Sequence, residues 1–356
     1  MYLTINQVRR LKQAVTFLCI GTVGGLVYVI AEGQLHLRYA VVNALLIGFL
    51  LSAVLTVFEL IWFRRQVRRM RFITLFVLRM AVYSIAIFCT IWLILVISRM
   101  RRFDLTYSGV MQSEEWQNYL SSGQFTGVVI YALLIMSTVN FTRQMSRKLG
   151  QGMLLAYITG RYTKPVRQER VIMFVDVINS RLIIEKLGAM GFHRFFNDLV
   201  YDITESIVLH SGIILHYVED QIVVSWSMQK GLSNANCIRT FFAINHKLDD
   251  LKEEYYEKYG FVPAVRGAAH CGKLIRAELG IVKTEISSTG DVLNTTSRIL
   301  GQCRELESNF LISEKLMEKV ELPPIYEPRI HEGIQLKGKI EPVRLYTIET
   351  IKYAAV

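Results

Sequence analysis

Two acidic positions stand where strands are predicted to end. Asp176 closes the apolar run 171–177, which is typical of a buried central strand. Glu219 and Asp220 form the tip of a predicted hairpin over 213–226, whose arms are rich in β-branched and aromatic residues. Carboxylates on neighbouring strands can hold Mg²⁺ together with the oxygens of a phosphate substrate. The alternative is that Glu219 and Asp220 belong to a solvated turn and that Asp176 is an ordinary acidic residue at a strand end.

A second pair of polar residues falls in a predicted helix over 291–304. Asn294 and Arg298 are four residues apart, so both side chains lie on one face of that helix. A neutral donor and a guanidinium on one face can orient a substrate and stabilise negative charge. An ordinary solvated helix face is the alternative.

Five short motifs occur in a fixed order along the second half of the chain. They are Phe174-Val-Asp-Val, Tyr217-Val-Glu-Asp, Arg266-Gly-Ala-Ala-His-Cys-Gly-Lys, Gly290-Asp-Val-Leu-Asn-Thr-Thr-Ser-Arg and Leu336-Lys-Gly-Lys. In order and spacing this set resembles the class III nucleotidyl cyclases over residues 165–350. The resemblance implies an adenylate cyclase, a phosphorus–oxygen lyase that converts ATP to 3′,5′-cyclic AMP and pyrophosphate at a homodimer interface.

The resemblance also implies a metal site and its chemistry. Two ions, Mg²⁺ or Mn²⁺, would be held by Asp176 and Asp220, with help from the Val177 carbonyl. One ion would lower the pKa of the attacking ribose hydroxyl, and the other would neutralise the leaving phosphates. No nucleotide-binding glycine loop of the Rossmann or P-loop type is present to suggest another kind of nucleotide site.

Further substrate contacts follow from the same resemblance. Asn294 would orient the ribose, and Arg298 would stabilise charge on the α-phosphoryl group. The start of a predicted helix suits the phosphates through its backbone amides. The remaining implied substrate-binding positions are Asn179, Ser180, Arg181, Arg266, Lys337 and Lys339. Arg266 also fits a strand-edge surface charge, and the two lysines also fit an edge strand protected from aggregation.

Three positions depart from the family pattern. Adenine-selective members carry a lysine four residues before the second metal aspartate, where this chain has His216. They carry aspartate or threonine seven residues before the asparagine, and Ser287 resembles the threonine variant. Ser287 therefore favours ATP, whereas His216 changes the donor pattern and leaves a guanylate cyclase as the alternative. Glu219 replaces a glycine, so either the turn differs or Glu219 is strained. His270 is expected to be packed and not to bind a metal.

The first part of the chain is apolar. Hydrophobic residues make up 52% of the sequence, the net charge is +11, and the mean hydropathy is +0.31. This combination favours a protein in a lipid bilayer over one that binds nucleic acid, so no nucleic-acid partner is expected. Four apolar runs are long enough, or nearly so, to cross the bilayer as helices. They cover 14–31, 40–63, 72–97 and 125–139.

Arginine positions predict the orientation of these spans. A dense arginine cluster at 64–71 lies between the second and third runs, which puts both termini in the cytoplasm. We therefore expect a multi-pass protein of the inner (plasma) membrane with a cytoplasmic catalytic domain. Arg99, Arg101 and Arg102 oppose this prediction, because they follow the third run on the expected outer side. Arg79, inside the third run, is expected to extend towards the headgroups, with a buried functional charge as the alternative.

These elements predict a multi-span anchor of four α-helices followed by a cytosolic α+β sandwich of the class III cyclase type, a ferredoxin-like mixed sheet with packed helices. The expected domains are a membrane domain over 1–141, a linker or transmitter helix over 142–168, and a catalytic domain over 169–350. The linker is expected to break near Gly150 and Gly160. Further predicted elements are helices 180–187, 192–209 and 234–259 and strands 264–269, 273–279, 333–337 and 343–348.

Two other classes of protein fit parts of the pattern. A cyclase-like domain that binds nucleotide with little or no turnover would serve as a membrane receptor. Retention of both aspartates and of the asparagine–arginine pair argues against it. A small transporter with a regulatory tail is the weaker alternative, because four spans with one ionisable residue deep among them offer no substrate path and no inverted repeat.

Overall fold

Long apolar helices form the first of two units in the chain, Met1–Lys148 and Leu149–Val356. The computed structural model describes residues 5–33, 38–61, 72–150, 152–339 and 341–351. The helices of the first unit are α1 (Ile5–Ala31), α2 (Arg38–Ile61), α3 (Phe72–Phe103), α4 (Tyr107–Gln112), α5 (Glu114–Ser121) and α6 (Gln124–Leu149). The arginine cluster at 64–71 lies outside the described residues.

Four helices are long and apolar enough to cross a membrane, as the sequence predicts. The candidate spans are Ala14–Ala31, Arg38–Phe58, Ile73–Phe103 and Gln124–Ser146. The fourth is longer than the predicted run 125–139, because its helix continues through polar residues to Leu149. Glycines let α1 and α2 approach closely, and a Cβ on Gly21 would lie 2.6 Å from the Gly48 carbonyl oxygen.

The position of Arg79 differs from the prediction. Its side chain does not extend towards the headgroups but is buried, with 1% of the residue exposed. Nη1 donates to Oδ1 of Asn140 on α6, at 3.4 Å. A polar partner on a neighbouring helix therefore keeps this arginine inside the unit. The sequence could not show this contact, since the two residues are 61 positions apart.

The second unit is a mixed sheet with helices on both faces. Its elements are α7 (Met153–Ile158), β1 (Val166–Val177), α8 (Ser180–Leu209), β2 (Ile213–Val218), β3 (Gln221–Ser227), α9 (Met228–Leu232), α10 (Asn236–Asp250), α11 (Lys252–Tyr259), β4 (Val265–Leu279), β5 (Glu285–Thr289), α12 (Asp291–Glu305), β6 (Phe310–Ser313), α13 (Glu314–Met317), β7 (Tyr326–Ile334) and β8 (Val343–Thr350). The strand order is β2-β3-β1-β4-β6-β8-β7, with β5 paired to β4. Only the β4–β6 pairing is parallel among the described strands.

β1 lies at the centre of this sheet and contributes side chains to two cores. Val171, Met173 and Val175 pack on one face with buried residues of α8 and α10. Ile172 and Phe174 pack on the other face with buried residues of α12. Alternate side chains of a strand point to opposite faces, so a continuous apolar run is what a strand covered on both sides requires. The predicted sandwich of packed helices on a mixed sheet is confirmed.

β4 differs from the prediction of two short strands. It runs unbroken for 15 residues, because its two internal glycines make room for packed side chains and do not form a turn. A Cβ on Gly267 would lie 2.8 Å from Cδ2 of Phe241, and one on Gly272 would lie 3.2 Å from Cβ of Val292. The strand β5 has no counterpart in the predicted elements.

Several other boundaries differ from those predicted. The predicted helix 234–259 is two helices, α10 and α11, and the predicted strand 333–337 is replaced by β7 over Tyr326–Ile334. α8 contains the predicted break, at Gly188, where φ is 69° and ψ is 166°. The breaks expected near Gly150 and Gly160 are present as well, with φ of 98° and 62°.

The segment between α7 and β1 is bound to β4. The Nη1 atom of Arg276 donates to the hydroxyl of Tyr162 at 3.1 Å, and its guanidinium lies 4.6 Å from the centre of that ring. The amide of Glu278 donates to the Tyr162 carbonyl at 2.8 Å. Arg276 is buried, so Tyr162 shields a charged side chain from solvent.

Candidate active site

Asp176 lies near the end of β1, in register with Gln221 of β3 on one side and Arg266 of β4 on the other. The residue is only 3% exposed. Nε of Arg266 donates to its Oδ2 at 2.7 Å, and Nη2 of the same guanidinium forms an ion pair with this oxygen at 2.5 Å. Burial raises the pKa of the Asp176 carboxyl above its ordinary value, and the Arg266 guanidinium opposes that rise. The site thus contains a buried carboxylate with one fixed cationic partner.

The β2–β3 hairpin brings a second carboxylate to the same edge of the sheet. Asp220 lies in the tight turn directly before Gln221, the register partner of Asp176. Glu219 beside it has a φ of 53°, in the left-handed region that favours glycine. The strained alternative predicted for Glu219 is therefore the one observed. A turn of two residues fixes Asp220 close to the central strand.

The start of α8 forms another wall of the site. Asn179 precedes the helix with φ 58° and ψ 30°, and no side chain caps this terminus. The first amides of a helix have no carbonyl partner within it, so the amides that follow Asn179 can bind an anion. An open cleft of about 1060 Å³ joins these elements. Its lining includes Asp176, Val177, Asn179, Ser180, Arg181, Asp220 and Arg266.

The donor set of this cleft fits a divalent cation that shares its coordination with a substrate. The protein offers carboxylate oxygens from Asp176 and Asp220, which are hard ligands of the kind Mg²⁺ and Mn²⁺ prefer. No group of three or more His, Cys, Asp or Glu residues capable of holding a metal occurs within the described parts of the chain. Two carboxylates alone leave most positions of an octahedral ion to water and phosphate oxygens.

Asn294 and Arg298 lie on α12, Asn294 exposed and Arg298 half-buried. The turn at 336–339 packs against Arg298, because a Cβ on Gly338 would lie 3.3 Å from its Nη2. Leu336 anchors this turn in the core, and Nζ of Lys339 contacts Oδ2 of Asp291 at 2.8 Å. Lys337 therefore lies in this turn and not in the strand predicted over 333–337, and Lys339 lies at the end of the same turn.

The two positions linked to base selectivity lie on different strands. His216 is half-buried on β2. Burial lowers the pKa of its imidazole, and the positive charge of Arg276 lowers it further. It follows that the ring is neutral at pH 7. Ser287 lies on β5, opposite Ala277 of β4.

The predicted site residues thus form two sets within one chain. Among residues that the structure describes, the lining of the cleft includes none of His216, Ser287, Asn294, Arg298, Lys337 and Lys339. On β4, Ala277 is the partner of Ser287 and Arg266 is the partner of Asp176. These two β4 residues are eleven positions apart, which corresponds to ~36 Å of extended strand. The cleft of one chain is therefore lined by the acidic set, Asp176 and Asp220, and not by the asparagine–arginine pair, Asn294 and Arg298.

Other residues of the cleft were not predicted. Arg304, Glu307 and Asn309 line it beside Arg266. Arg304 lies in the last turn of α12, whereas Glu307 and Asn309 lie in the connection from α12 to β6. The pairing of β4 with β6 brings this segment to the edge of the sheet where Asp176 lies. No local spacing in the sequence marks them. The folded sheet is needed to find them.

His270 is packed, as predicted. It is 9% exposed, and its Nδ1 lies 2.7 Å from Oγ of Ser313. Burial, followed by the positive charge of Lys315, lowers the pKa of this imidazole to about 4. A neutral histidine held by a hydroxyl has a structural role at this position.

Similarity to known proteins agrees with this geometry. No family model matches the chain. It is 32% identical over 222 residues to Adenylate cyclase 2 of Rhizobium meliloti (strain 1021), covering 62% of this chain and 60% of that protein. It is 25% identical over 186 residues to an adenylate cyclase of Anabaena cylindrica, covering 50% of this chain and 36% of the other. The chain therefore spans less than two thirds of either curated relative.

Among solved structures, the fold is similar to that of a bacterial light-regulated adenylyl cyclase. The TM-score is 0.52 at 17% identity, over 62% of this chain and 65% of the other. At this level of identity the likeness concerns the fold alone. Together with the curated relatives, the mixed sheet and its packed helices confirm the resemblance to the class III nucleotidyl cyclases that the five motifs indicate.

Proposed function

We propose that this protein is a membrane-bound adenylate cyclase that converts ATP to 3′,5′-cyclic AMP and pyrophosphate. The observation that carries the proposal is the meeting of Asp176, Asp220 and the start of α8 in one cleft. Two carboxylates beside an uncapped helix start combine a metal site with a phosphate site. The similarity to two adenylate cyclases supports ATP as the proposed substrate.

In this proposal Asp176 and Asp220 hold two divalent ions, Mg²⁺ or Mn²⁺, with help from the Val177 carbonyl. When bound, such ions lower the pKa of the ribose 3′-hydroxyl and neutralise charge on the phosphates. The backbone amides of Asn179, Ser180 and Arg181 bind phosphate oxygens. Arg266 lines the same cleft, so its guanidinium can exchange Asp176 for a phosphate oxygen when substrate enters.

The reaction forms one bond and breaks another at the α-phosphorus. The ribose 3′-hydroxyl releases its proton to water, and its oxygen attacks this atom in line, while the bond from the α-phosphorus to the bridging oxygen of pyrophosphate breaks. Arg298 stabilises the charge that develops on the α-phosphoryl oxygens, and Asn294 orients the ribose. Lys337 and Lys339 bind the terminal phosphates.

These roles require a second copy of the chain. The cleft of one chain is lined by the acidic set, whereas Asn294 is exposed on α12 outside that lining. A symmetric pair of chains gives two composite sites, each with aspartates from one chain and the asparagine–arginine pair from the other. We therefore propose a homodimer as the active form.

Base selectivity is assigned to His216 and Ser287. The neutral imidazole of His216 can donate or accept one hydrogen bond, and the hydroxyl of Ser287 can do either. These two side chains can form hydrogen bonds with the edge of adenine. Neither carries a charge that would repel guanine. ATP is proposed as the preferred substrate, with GTP as the alternative.

The proposal includes a location in the cell. The four apolar helices form the membrane domain, 1–141, and a linker, 142–168, leads to the catalytic domain, 169–350. The arginine cluster at 64–71 favours the inner (plasma) membrane with the catalytic domain on the cytoplasmic side.

An assay of the full-length protein in lipid nanodiscs tests the activity. ATP and GTP are supplied separately with Mg²⁺ or Mn²⁺, and cyclic nucleotide and pyrophosphate are measured. We expect equimolar cyclic AMP and pyrophosphate, with a higher kcat/KM for ATP. A higher kcat/KM for GTP would identify a guanylate cyclase. Nucleotide binding without product formation in all four conditions would identify a receptor and refute the proposed enzyme.

A further inference from the structure

The N-terminal unit contains a cavity of about 460 Å³ among its long helices. Small and aliphatic side chains from α1, α2, α3 and α6 line most of it, including Gly24, Ala44, Leu51, Leu95 and Ala132. The end of the cavity where α1 and α3 finish and α2 and α6 begin is different. Arg99, Arg102, Glu32, Glu115, Tyr39 and Tyr119 lie there.

Aromatic rings hold the two arginines of this polar end. The guanidinium of Arg99 lies 4.8 Å from the ring of Trp116 and 4.4 Å from that of Tyr119. The guanidinium of Arg102 lies 4.0 Å from the ring of Tyr39. Stacking fixes the plane of a guanidinium and leaves the N–H groups at its edge for another partner.

The buried Nε atom of Arg99 is a hydrogen-bond donor that needs an acceptor. Its side chain is half-buried, and its buried Nε has no hydrogen-bond partner among the described residues. Neither Arg99 nor Arg102 forms an ion pair with a carboxylate in the same ranges. Glu32 and Glu115 are exposed, and the Glu32 carboxylate is a hydrogen-bond partner of the Tyr28 hydroxyl. A buried donor without an acceptor has a free-energy cost that a bound anion would remove.

We propose that this cavity binds an amphiphile with a carboxylate head group and an unbranched apolar tail. The carboxylate contacts Arg99 and Arg102, and the tail lies among the small and aliphatic side chains. The volume is within the range of about 300–1,000 Å³ found for small-molecule sites. The site also gives a role to Arg99 and Arg102, which lie near the end of the third candidate span and oppose the orientation predicted from the other arginines.

Photolabelling of the full-length protein tests this site without reference to catalysis. The protein is placed in nanodiscs of phosphatidylcholine, labelled with a diazirine derivative of palmitate, and digested for mass spectrometry. Labelled peptides are expected from Ala14–Ala31 and Gln124–Ser146, which contribute the cavity residues of α1 and α6. Excess palmitate should abolish the labelling, whereas hexadecanol, which has the same chain length without the charge, should not.

Two variants address the tail and the head separately. A Cβ at Gly24 meets only Cδ1 of Ile135 within 4 Å, at 3.4 Å, so Gly24→Leu fills the cavity with little displacement of backbone. Gly127→Leu is its matched control, because Gly127 has no neighbour within 4 Å of its Cβ and does not line the cavity. Arg99→Gln removes the head-group contact. Arg101→Gln is its control, since Arg101 is exposed and outside the lining.

We expect Gly24→Leu and Arg99→Gln to reduce labelling at least about tenfold, the equivalent of about 1.4 kcal/mol in binding, and both controls to match wild type. Size-exclusion profiles monitor folding, and the competition arm needs no variant. Equal labelling of all four variants would overturn the proposal, because the probe would then report the lipid-facing surface. Equal competition by hexadecanol and palmitate would also overturn it.

Discussion

Arg266 and Asp176 face each other across adjacent antiparallel strands, with Nε of the arginine 2.7 Å from Oδ2 of the aspartate. The pair neutralises a carboxylate that is almost fully buried. A cation that binds Asp176 must compete with this guanidinium, and a phosphate that binds Arg266 must compete with the carboxylate. Ion and nucleotide should therefore bind cooperatively, because each removes the partner that opposes the other.

Substitution of either proposed metal ligand should abolish turnover. Asp176→Asn and Asp220→Asn each remove a carboxylate charge while keeping the side-chain shape, so activation of the nucleophile and neutralisation of the phosphates are both lost. We expect cyclic AMP formation to fall by several orders of magnitude, measured on purified protein with normal membrane expression. Asp249→Asn, on the exposed face of α10, is the control and should retain activity. Turnover near the wild-type rate in either site variant would mean that other carboxylates bind the ions.

The Arg266–Asp176 pair should also appear in stability measurements. Arg266→Gln leaves the buried carboxylate without its cation and should lower the free energy of unfolding by about 1–3 kcal/mol at pH 7. In an Asp176→Asn background the same substitution should cost much less, because there is no charge left to neutralise. Thermal unfolding of the four proteins completes the double-mutant cycle. Equal losses in both backgrounds would show that the pair contributes no coupling energy.

The composite site makes a quantitative prediction for mixed dimers. Asp176→Ala and Arg298→Ala should each be inactive alone, since each removes one half of both sites. When the two chains are co-expressed, half of randomly paired dimers are mixed, and one of the two sites in each mixed dimer is intact. Cyclic AMP formation should recover to roughly a quarter of wild type. Background activity in a co-purified mixed dimer would indicate a site contained within one chain.

His270 should make the stability of the protein depend on pH. Its pKa is lowered to about 4 in the folded state from an ordinary value of 6.5. Between these values the unfolded chain binds a proton that the folded chain does not, so this contribution is fully present above pH 6.5 and decreases as the pH falls towards 4. The loss should reach about 3 kcal/mol.

The variant His270→Asn should flatten this dependence in denaturant unfolding curves recorded between pH 4 and 7. The control is His193→Asn, because His193 is exposed on α8, and the slope attributed to His270 should persist in this variant. The same slope in wild type and His270→Asn would exclude His270 as its source.

Local patterns predicted the elements whose environment is simple. The β2–β3 hairpin and β1 were recognisable because side-chain alternation and continuous apolar runs record which strand faces are covered. The four long apolar helices are recognisable by their length and hydropathy. The motifs around Asp176, Asp220 and Asn294 indicated the fold that the described sheet has.

Contacts between distant segments account for what the sequence did not predict. Gly267 and Gly272 resemble turn residues, but they are small because Phe241 and Val292 pack over β4. The burial of Arg79 depends on Asn140, on another helix. The separation of Ser287 from the cleft follows from its register on β4. The catalytic roles of the site residues stay predictions.

The bonds between Tyr162 and β4 determine where the chain can be cut or fused. Residues ahead of β1 resemble a dispensable spacer, yet removal of Tyr162 would uncover the guanidinium of Arg276 and leave the amide of Glu278 without its acceptor. A shortened protein that begins at residue 152 keeps α7 and both contacts, whereas one that begins at residue 165 loses them. A foreign sensor domain should accordingly be joined before α7, since the folded unit begins there and not at the first strand.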